Sequence, residues 1–262
     1  MIFDLNPCYL LLSTCYLIME NTYTFFYKIR PHEANFLDKA TPQVLLNYLQ
    51  DAAFGHAHEL GVSVFHLFEK GLTWVLSRYH VSIDGYPSVG EEVQIRTWIP
   101  SLQKNFFLRE FEIVGENGDV LVRASSSWIL VDLKTKKPVA EDGSFGEFPV
   151  VPRRAVDDEF GPLPALEEHD QEERFCVRIG DLDLNRHVNH VVYIQWALES
   201  VPKQVLKNCR PSDIEVAYRG EAKKGEIVLA RTKALDGENR FLHQLVRESD
   251  GRELTRLRTE WI

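Results

Sequence analysis

Hydrophobic spacing along the 262-residue chain switches between two periods, and it does so twice. Residues 23–29 are aromatic and β-prone and predict a strand. Thr41 and Pro42 then mark a helix start, a threonine N-cap followed by proline at the first helical position. Val44, Leu45, Tyr48, Leu49, Ala52, Ala53 and His56 follow at helical spacing. One apolar face therefore runs down this helix, until Gly61 ends it. The spans 72–83, 92–98, 106–114 and 121–131 read as four strands. Asp84 with Gly85, Pro87 with Gly90, and Asn117 with Gly118 separate them, the last a strong hairpin signal. From 139 to 173 prolines mix with acidic clusters, which predicts a linker draped over the surface. The pattern then restarts. A strand is predicted at 174–179, a helix carries Val191, Ile194, Leu198 and Val201, and several strands fill 215–262.

The restart is a duplication. Residues 79–97 align without a gap on 214–232, pairing Gly85 with Gly220, Gly90 with Gly225, and Arg96-Thr97 with Arg231-Thr232. A second block pairs Gly118 with Gly251, Arg123 with Arg256, and Trp128-Ile129 with Trp261-Ile262. Each half is a strand, a helix, then strands. A helix wrapped by an antiparallel sheet buries its apolar face on that sheet. The expected fold is α+β, a tandem (double) hot-dog with two long central helices. Side by side, the two halves can form one continuous sheet and remove an open edge. The expected divisions are an N-terminal hot-dog at 19–138, a linker at 139–173, and a C-terminal hot-dog at 174–262. Residues 1–18 lie outside both. Their apolar run, 8–19, is too short to span a bilayer and lacks a basic start, so it makes a poor signal peptide. It reads as an upstream extension of the reading frame, with Met19 as working start.

Composition narrows the partners. The chain is 44% hydrophobic and 26% charged, an ordinary globular balance, with net charge -9. That charge argues against nucleic acid. Cys8, Cys15, Cys176 and Cys209 show no paired metal spacing and read as reduced thiols of a cytoplasmic protein. No metal or cofactor is expected, and no stable membrane insertion. The molecule is expected to be a monomer or a homodimer.

The chemistry gathers just before the second helix, in Asp181-Leu-Asp-Leu-Asn-Arg-His-Val-Asn189. Alternation in an extended segment puts Asp183, Asn185 and His187 on one face and Leu182, Leu184 and Val188 mostly on the other. Laying Thr41 on Asn189 places Asn35, Leu37 and Lys39 opposite that polar row. The first half thus lacks it, which favours a functional site over the plainer alternative that Asp183 and Asn185 cap a helix or fix a turn. The helix start offers backbone N–H groups, here those of Val188 and Asn189, to a polarised carbonyl oxygen. A carboxylate beside them can be a nucleophile or a base for water, an asparagine can hold it or the water in place, and a histidine can shuttle a proton. That combination means acyl hydrolysis. There is no Gly-x-Ser-x-Gly elbow for a serine hydrolase. Glu221 replaces Tyr86 between the repeats and is a fourth candidate. His56 and His58 read as helix-face packing. Trp74, Trp98, Trp128, Trp196 and Trp261 read as core or pocket lining.

The stretch 181–202 resembles the signature of the acyl-acyl-carrier-protein thioesterases of plants and bacteria. So do Leu72-Thr-Trp-Val-Leu-Ser-Arg78, the span 84–98, Arg123-Ala-Ser-Ser-Ser-Trp-Ile-Leu130 and Tyr218-Arg-Gly-Glu221. The resemblance runs in order over about 22–262. It implies a double hot-dog enzyme that frees fatty acids from the carrier protein, with catalytic roles for Asp183, Asn185 and His187. In the plant members the Tyr-Arg-x-Glu stretch precedes a cysteine once proposed as nucleophile. Here that position is Ala222, so a Cys-His mechanism cannot operate there, while Glu221 is retained. The plastid-targeting segment of the plant members is missing, which fits a bacterial protein. The substrate would carry phosphopantetheine and occupy a deep apolar tunnel, its depth set around residues 45–57. Lys203, Lys207, Arg210, Lys223 and Lys224 would form a docking patch for the acidic carrier. The alternatives are an acyl-CoA thioesterase and a non-catalytic acyl-thioester-binding module.

Overall fold

A computed structural model of the chain describes residues 16–19, 21–101, 106–140, 143, 145–236 and 239–262. The first half contains β1 (Tyr16–Met19), β2 (Thr22–Lys28), α1 (Pro42–Glu59), α2 (Val64–Glu69), β3 (Leu72–Ile83), β4 (Glu92–Trp98), β5 (Phe107–Val114) and β6 (Val120–Asp132). The second contains β7 (Gln171–Cys176), α3 (His190–Glu199), α4 (Lys203–Asn208), β8 (Pro211–Tyr218), β9 (Ile227–Ala234), β10 (Arg240–Arg247) and β11 (Glu253–Trp261).

The strands form one antiparallel sheet in the order β1-β2-β4-β5-β6-β3-β8-β11-β10-β9-β7. From β2 inward and from β7 inward the order is the same, so the duplication seen in sequence is a duplication in space. The halves meet at β3 and β8, where His80 lies opposite Glu215. Those two residues are also counterparts in the repeat alignment, so a pseudo-two-fold axis passes between them. Each half covers the edge that the other would expose. The tandem hot-dog is therefore present.

Both central helices begin as the sequence indicates. The Thr41 hydroxyl accepts the Val44 N–H at 3.3 Å, and the Asn189 side chain accepts the Val191 N–H at 2.9 Å. Down α1, Leu45, Leu46, Leu49 and Ala52 are at most 1% exposed. Each buried leucine contributes roughly 1.5–3 kcal/mol of transfer free energy. The expectation of two long helices needs correction. Only α1 is long; in the second half α3 stops at Glu199 and α4 resumes at Lys203. Pro202 lies between them, where α1 has Phe54. A proline there has no N–H to donate and its ring clashes with the preceding turn. The predicted strand at 174–179 is also displaced: β7 begins at Gln171, and Ile179–Asp181 forms a 3-10 turn.

The segment between the halves lies on the outer sheet face and is pinned there by charge. The Arg154 Nε donates to Glu110 at 2.8 Å, as does the Ala155 N–H, and the Ser125 hydroxyl donates to the same carboxylate at 2.6 Å. Glu110 has no exposed surface. His80 stands between Asp158 of this segment, at 2.8 Å, and Asp213 of β8, at 3.0 Å. The segment thus covers the second face of the central strands. At the sheet's outer edge, β1 pairs with β2. Residues 16–18 of the expected N-terminal extension are therefore in the sheet, while 1–15 lie outside the described residues.

Candidate active site

The candidate motif is a tight loop, not an extended segment. Leu182 and Val188 bridge across its neck. Arg186 takes up a left-handed conformation with φ 62. The Asp183 N–H donates to the His187 carbonyl at 2.8 Å, and the Arg186 N–H donates to the Asp183 carbonyl at 3.0 Å. Asp183 Oδ1 accepts the N–H of Asn185 at 2.8 Å and that of His187 at 3.3 Å. The Asn185 amide lies 3.5 Å from Asp183 Oδ2. A turn held by a carboxylate, rather than strand alternation, sets the positions of the three residues. Leu184, expected with Leu182 and Val188 on the face opposite the polar row, is 66% exposed at the tip.

The first half builds the same loop. Asn35 Oδ1 accepts the N–H of Leu37 at 2.9 Å and that of Lys39 at 3.3 Å, and Asp38 has φ 60. Fixing the turn is therefore one role of position 183, and both repeats have it. The difference is what remains. Asn35 puts an amide nitrogen where Asp183 has a second carboxylate oxygen. Lys39 donates to the Ser88 hydroxyl at 2.8 Å. In the second half His187 Nε2 instead meets Glu221 Oε2 at 3.2 Å. Asp183, Asn185 and His187 are half-buried, and Glu221 is exposed.

Two backbone donors expected to be free are not. The Val188 N–H donates to the Ala222 carbonyl at 3.1 Å, and the Asn189 N–H donates to the Asp181 carbonyl at 2.9 Å. Both close the loop onto its neighbours. The amide left at the helix start is that of His190, which has no partner among the described residues. Its counterpart in the first half is Pro42, which has no N–H at all. Burial pushes the His190 imidazole down to about 4, so it is neutral among the rings of Tyr79, Trp128 and Tyr218.

A residue that periodicity assigned to neither core nor site supports Glu221. The Tyr193 hydroxyl accepts the Ala222 N–H at 2.8 Å and ties that turn to α3. Ala222 is fully buried. The five cations proposed for docking are not one patch. Lys223 and Lys224 flank Glu221. Lys203 and Lys207 lie on α4, beyond the far end of α3. Arg210 sits 5.5 Å over the ring of Tyr86 in the other half.

His56 is fully buried on α1, as its spacing implies. Burial and the neighbouring Arg109 push it down to about 2, and Arg109 lies 2.6 Å away. Against α1, Leu49 of the helix, Ile95 of β4 and Ile113 of β5 have no exposed surface. Cys176 and Cys209 are free thiols. Among the described residues no group of histidines, cysteines and acids has the arrangement of a metal site, and no helix is long and apolar enough to cross a membrane.

Fold and site together define a tandem hot-dog protein with one acid–amide–imidazole loop, in the second half only. Sequence profiles sharpen this. The acyl-ACP thioesterase N-terminal domain matches residues 20–142, and the acyl-ACP thioesterase C-terminal domain matches residues 165–262. The chain belongs to the acyl-ACP thioesterase family. It is 31% identical to a chloroplastic acyl-[acyl-carrier-protein] hydrolase of Cuphea viscosissima over 90% of its own length and 61% of that protein. It is 28% identical to a chloroplastic oleoyl-acyl carrier protein thioesterase of Arabidopsis thaliana, over 93% of this chain and 78% of that one. The 12:0-ACP thioesterase from Umbellularia californica superposes with TM-score 0.84 at 26% identity, covering 94% of this chain and 98% of that chain. An acyl-ACP thioesterase from Bacteroides thetaiotaomicron shares the fold, with TM-score 0.83 at 24% identity over 92% of this chain and 98% of that one. The chain spans 61% of the length of the Cuphea viscosissima relative.

Proposed function

We propose that this protein hydrolyses the thioester of fatty acyl-acyl-carrier-protein to free fatty acid and carrier protein. The observation that carries the reading is the asymmetry between two superposable loops. One keeps only the turn; the other adds a second carboxylate oxygen held by the Asn185 amide, an imidazole on a glutamate, and an unpaired amide. In this reading Asp183 Oδ2 acts at the thioester carbonyl, as nucleophile or as base for water, while Oδ1 holds the loop. The His190 N–H stabilises the developing oxyanion. Asn185 orients the carboxylate. His187, steadied by Glu221, gives a proton to the departing thiolate and takes one from water. Lys223 and Lys224 face the carrier beside the site.

Release of free fatty acid from a panel of purified medium- and long-chain acyl carriers tests this. Folded protein that releases none overturns it. A comparison of kcat/KM on carrier-bound and CoA-bound forms of one acyl group separates the two thioesterase readings. In a single turnover in labelled water, label found in the Asp183 carboxylate shows direct attack, because the general-base route never breaks a carboxylate C–O bond, and trapping an acyl-enzyme shows it independently.

A further inference from the structure

We propose that the cleft between the starts of α1 and α3 holds the phosphopantetheine arm, its amides paired by the carboxamides of Gln43 and Gln195. The identity of this ligand rests on the thioesterase reading above. The cleft has a volume of about 430 Å³ and is lined by Gln43, Arg178, Gly180, Asp181, Val192 and Gln195. That volume is in the range of small-ligand sites. Gln43 comes from the first half and the other five from the second, so only the two repeats together build it.

The lining matches the arm group by group. Gln43 and Gln195 are half-buried, and neither side chain hydrogen-bonds to a described residue. A carboxamide has two N–H donors and one acceptor oxygen. A pantetheine arm carries two secondary amides, each with one donor and one acceptor. Val192 gives an apolar wall for the arm's dimethyl group. Arg178 donates from Nη2 to Asp181 Oδ1 at 3.1 Å and from Nε to Oδ2 at 3.4 Å, which fixes the guanidinium. Its side chain is 78% exposed, so its remaining donors face outward, where the arm's phosphate would lie. At Gly180 a Cβ would meet nothing within 4 Å, so this side of the cleft is open.

The cleft wall is tied to the candidate loop. The Asp181 carbonyl accepts the Asn189 N–H at 2.9 Å, so one hydrogen bond joins the cleft wall to the neck of the Asp183 loop. The repeat supplies a control. The counterparts of Gln43 and Gly180 are Val191, 1% exposed, and His32. The counterpart of Gln195 is Asn47, so the pseudo-symmetric position keeps one of the two amides and carries a side chain where the cleft has Gly180.

Gln43→Leu and Gln195→Leu, each in the full chain, test the proposal. The measurement is the ratio of kcat/KM for acyl-pantetheine to that for the ethanethiol ester of the same fatty acid. Loss of one hydrogen bond of up to about 1.4 kcal/mol lowers that ratio by up to about tenfold. A ratio unchanged in both variants overturns the proposal. Free pantetheine is also titrated into the wild-type protein and followed by NMR. Shifts confined to 178–181, 43 and 190–195 support the cleft, and their absence overturns it. This second readout does not need turnover, so a protein that releases no fatty acid from the acyl-carrier panel would defeat the thioesterase reading while the titration still decides the cleft.

Discussion

Asp183 divides its two carboxylate oxygens between a turn and an open site, and Asn35 shows how to separate the two roles. The asparagine makes the same turn bonds with its one oxygen. Asp183→Asn should therefore fold normally and lose turnover by about 10²–10⁴-fold, the usual range for a positioned acid–base group. Asp183→Ala should lose turnover and also about 1 kcal/mol of stability, because the loop N–H groups lose their acceptor. Thermal melts beside thiol-release assays check the pair; a melting temperature that drops as far in the asparagine variant as in the alanine one would refute the division. Tyr193→Phe should weaken the Glu221 turn, leaving the buried Ala222 N–H without its acceptor at a cost of about 1–3 kcal/mol. Denaturant midpoints measure this. The acid, the amide and the imidazole were legible in sequence because one repeat has them and the other does not. Their hydrogen bonds were not, because a turn with a left-handed Arg186 leaves no mark in polar alternation.

Among elements, α1 shows how closely a helix approaches the sheet. A Cβ on Gly55 would stand 2.8 Å from two ring atoms of Phe25. Alanine is worth about 1 kcal/mol more than glycine inside a helix. Phe25 is 6% exposed and has little room to withdraw, so Gly55→Ala should lower the melting temperature despite that gain. A rise would show that β2 gives way. The strand at 72–83 was read correctly because Gly71 and Gly85 bound it, and that at 92–98 because Gly90 marks its start. The break in the second helix was not read, although Pro202 was in plain view. Its apolar spacing continues through Val201, and spacing alone does not register a missing N–H.

At the scale of the whole molecule, the segment between the halves ties the outer face together at the pseudo-two-fold axis. Burial alone would push His80 down, but hydrogen bonds and charge from Asp213 and Asp158 raise it to about 9. A histidine raised in the folded state adds stability that is fully present below its unfolded value, about 6.5. That contribution is lost as pH rises through about 9. Wild-type stability should therefore fall between pH 6.5 and 9 by more than that of His80→Gln, and urea midpoints across that window check it. Glu215 and Arg78 share the neighbourhood, so the difference between the two proteins is the relevant quantity. Arg154→Met should leave the buried Glu110 carboxylate without its cation and cost about 3–5 kcal/mol. Calorimetry of that variant measures the strength of the clasp.

The sequence by itself determined the duplication, the tandem hot-dog, the family resemblance and the four side chains of the candidate site. Each is carried by spacing or by difference between repeats, and both survive in one dimension. Only the tertiary structure decided which N–H groups are free. Val188 and Asn189 spend theirs on the carbonyls of Ala222 and Asp181, one distant in sequence and one across the loop, while His190 keeps its own. The structure also put Lys203 and Lys207 on α4, away from Lys223 and Lys224 beside Glu221, and set Gln43 and Gln195 in one cleft across the two halves. Such contacts depend on how two repeats pack on one sheet, and no local pattern in either repeat encodes that.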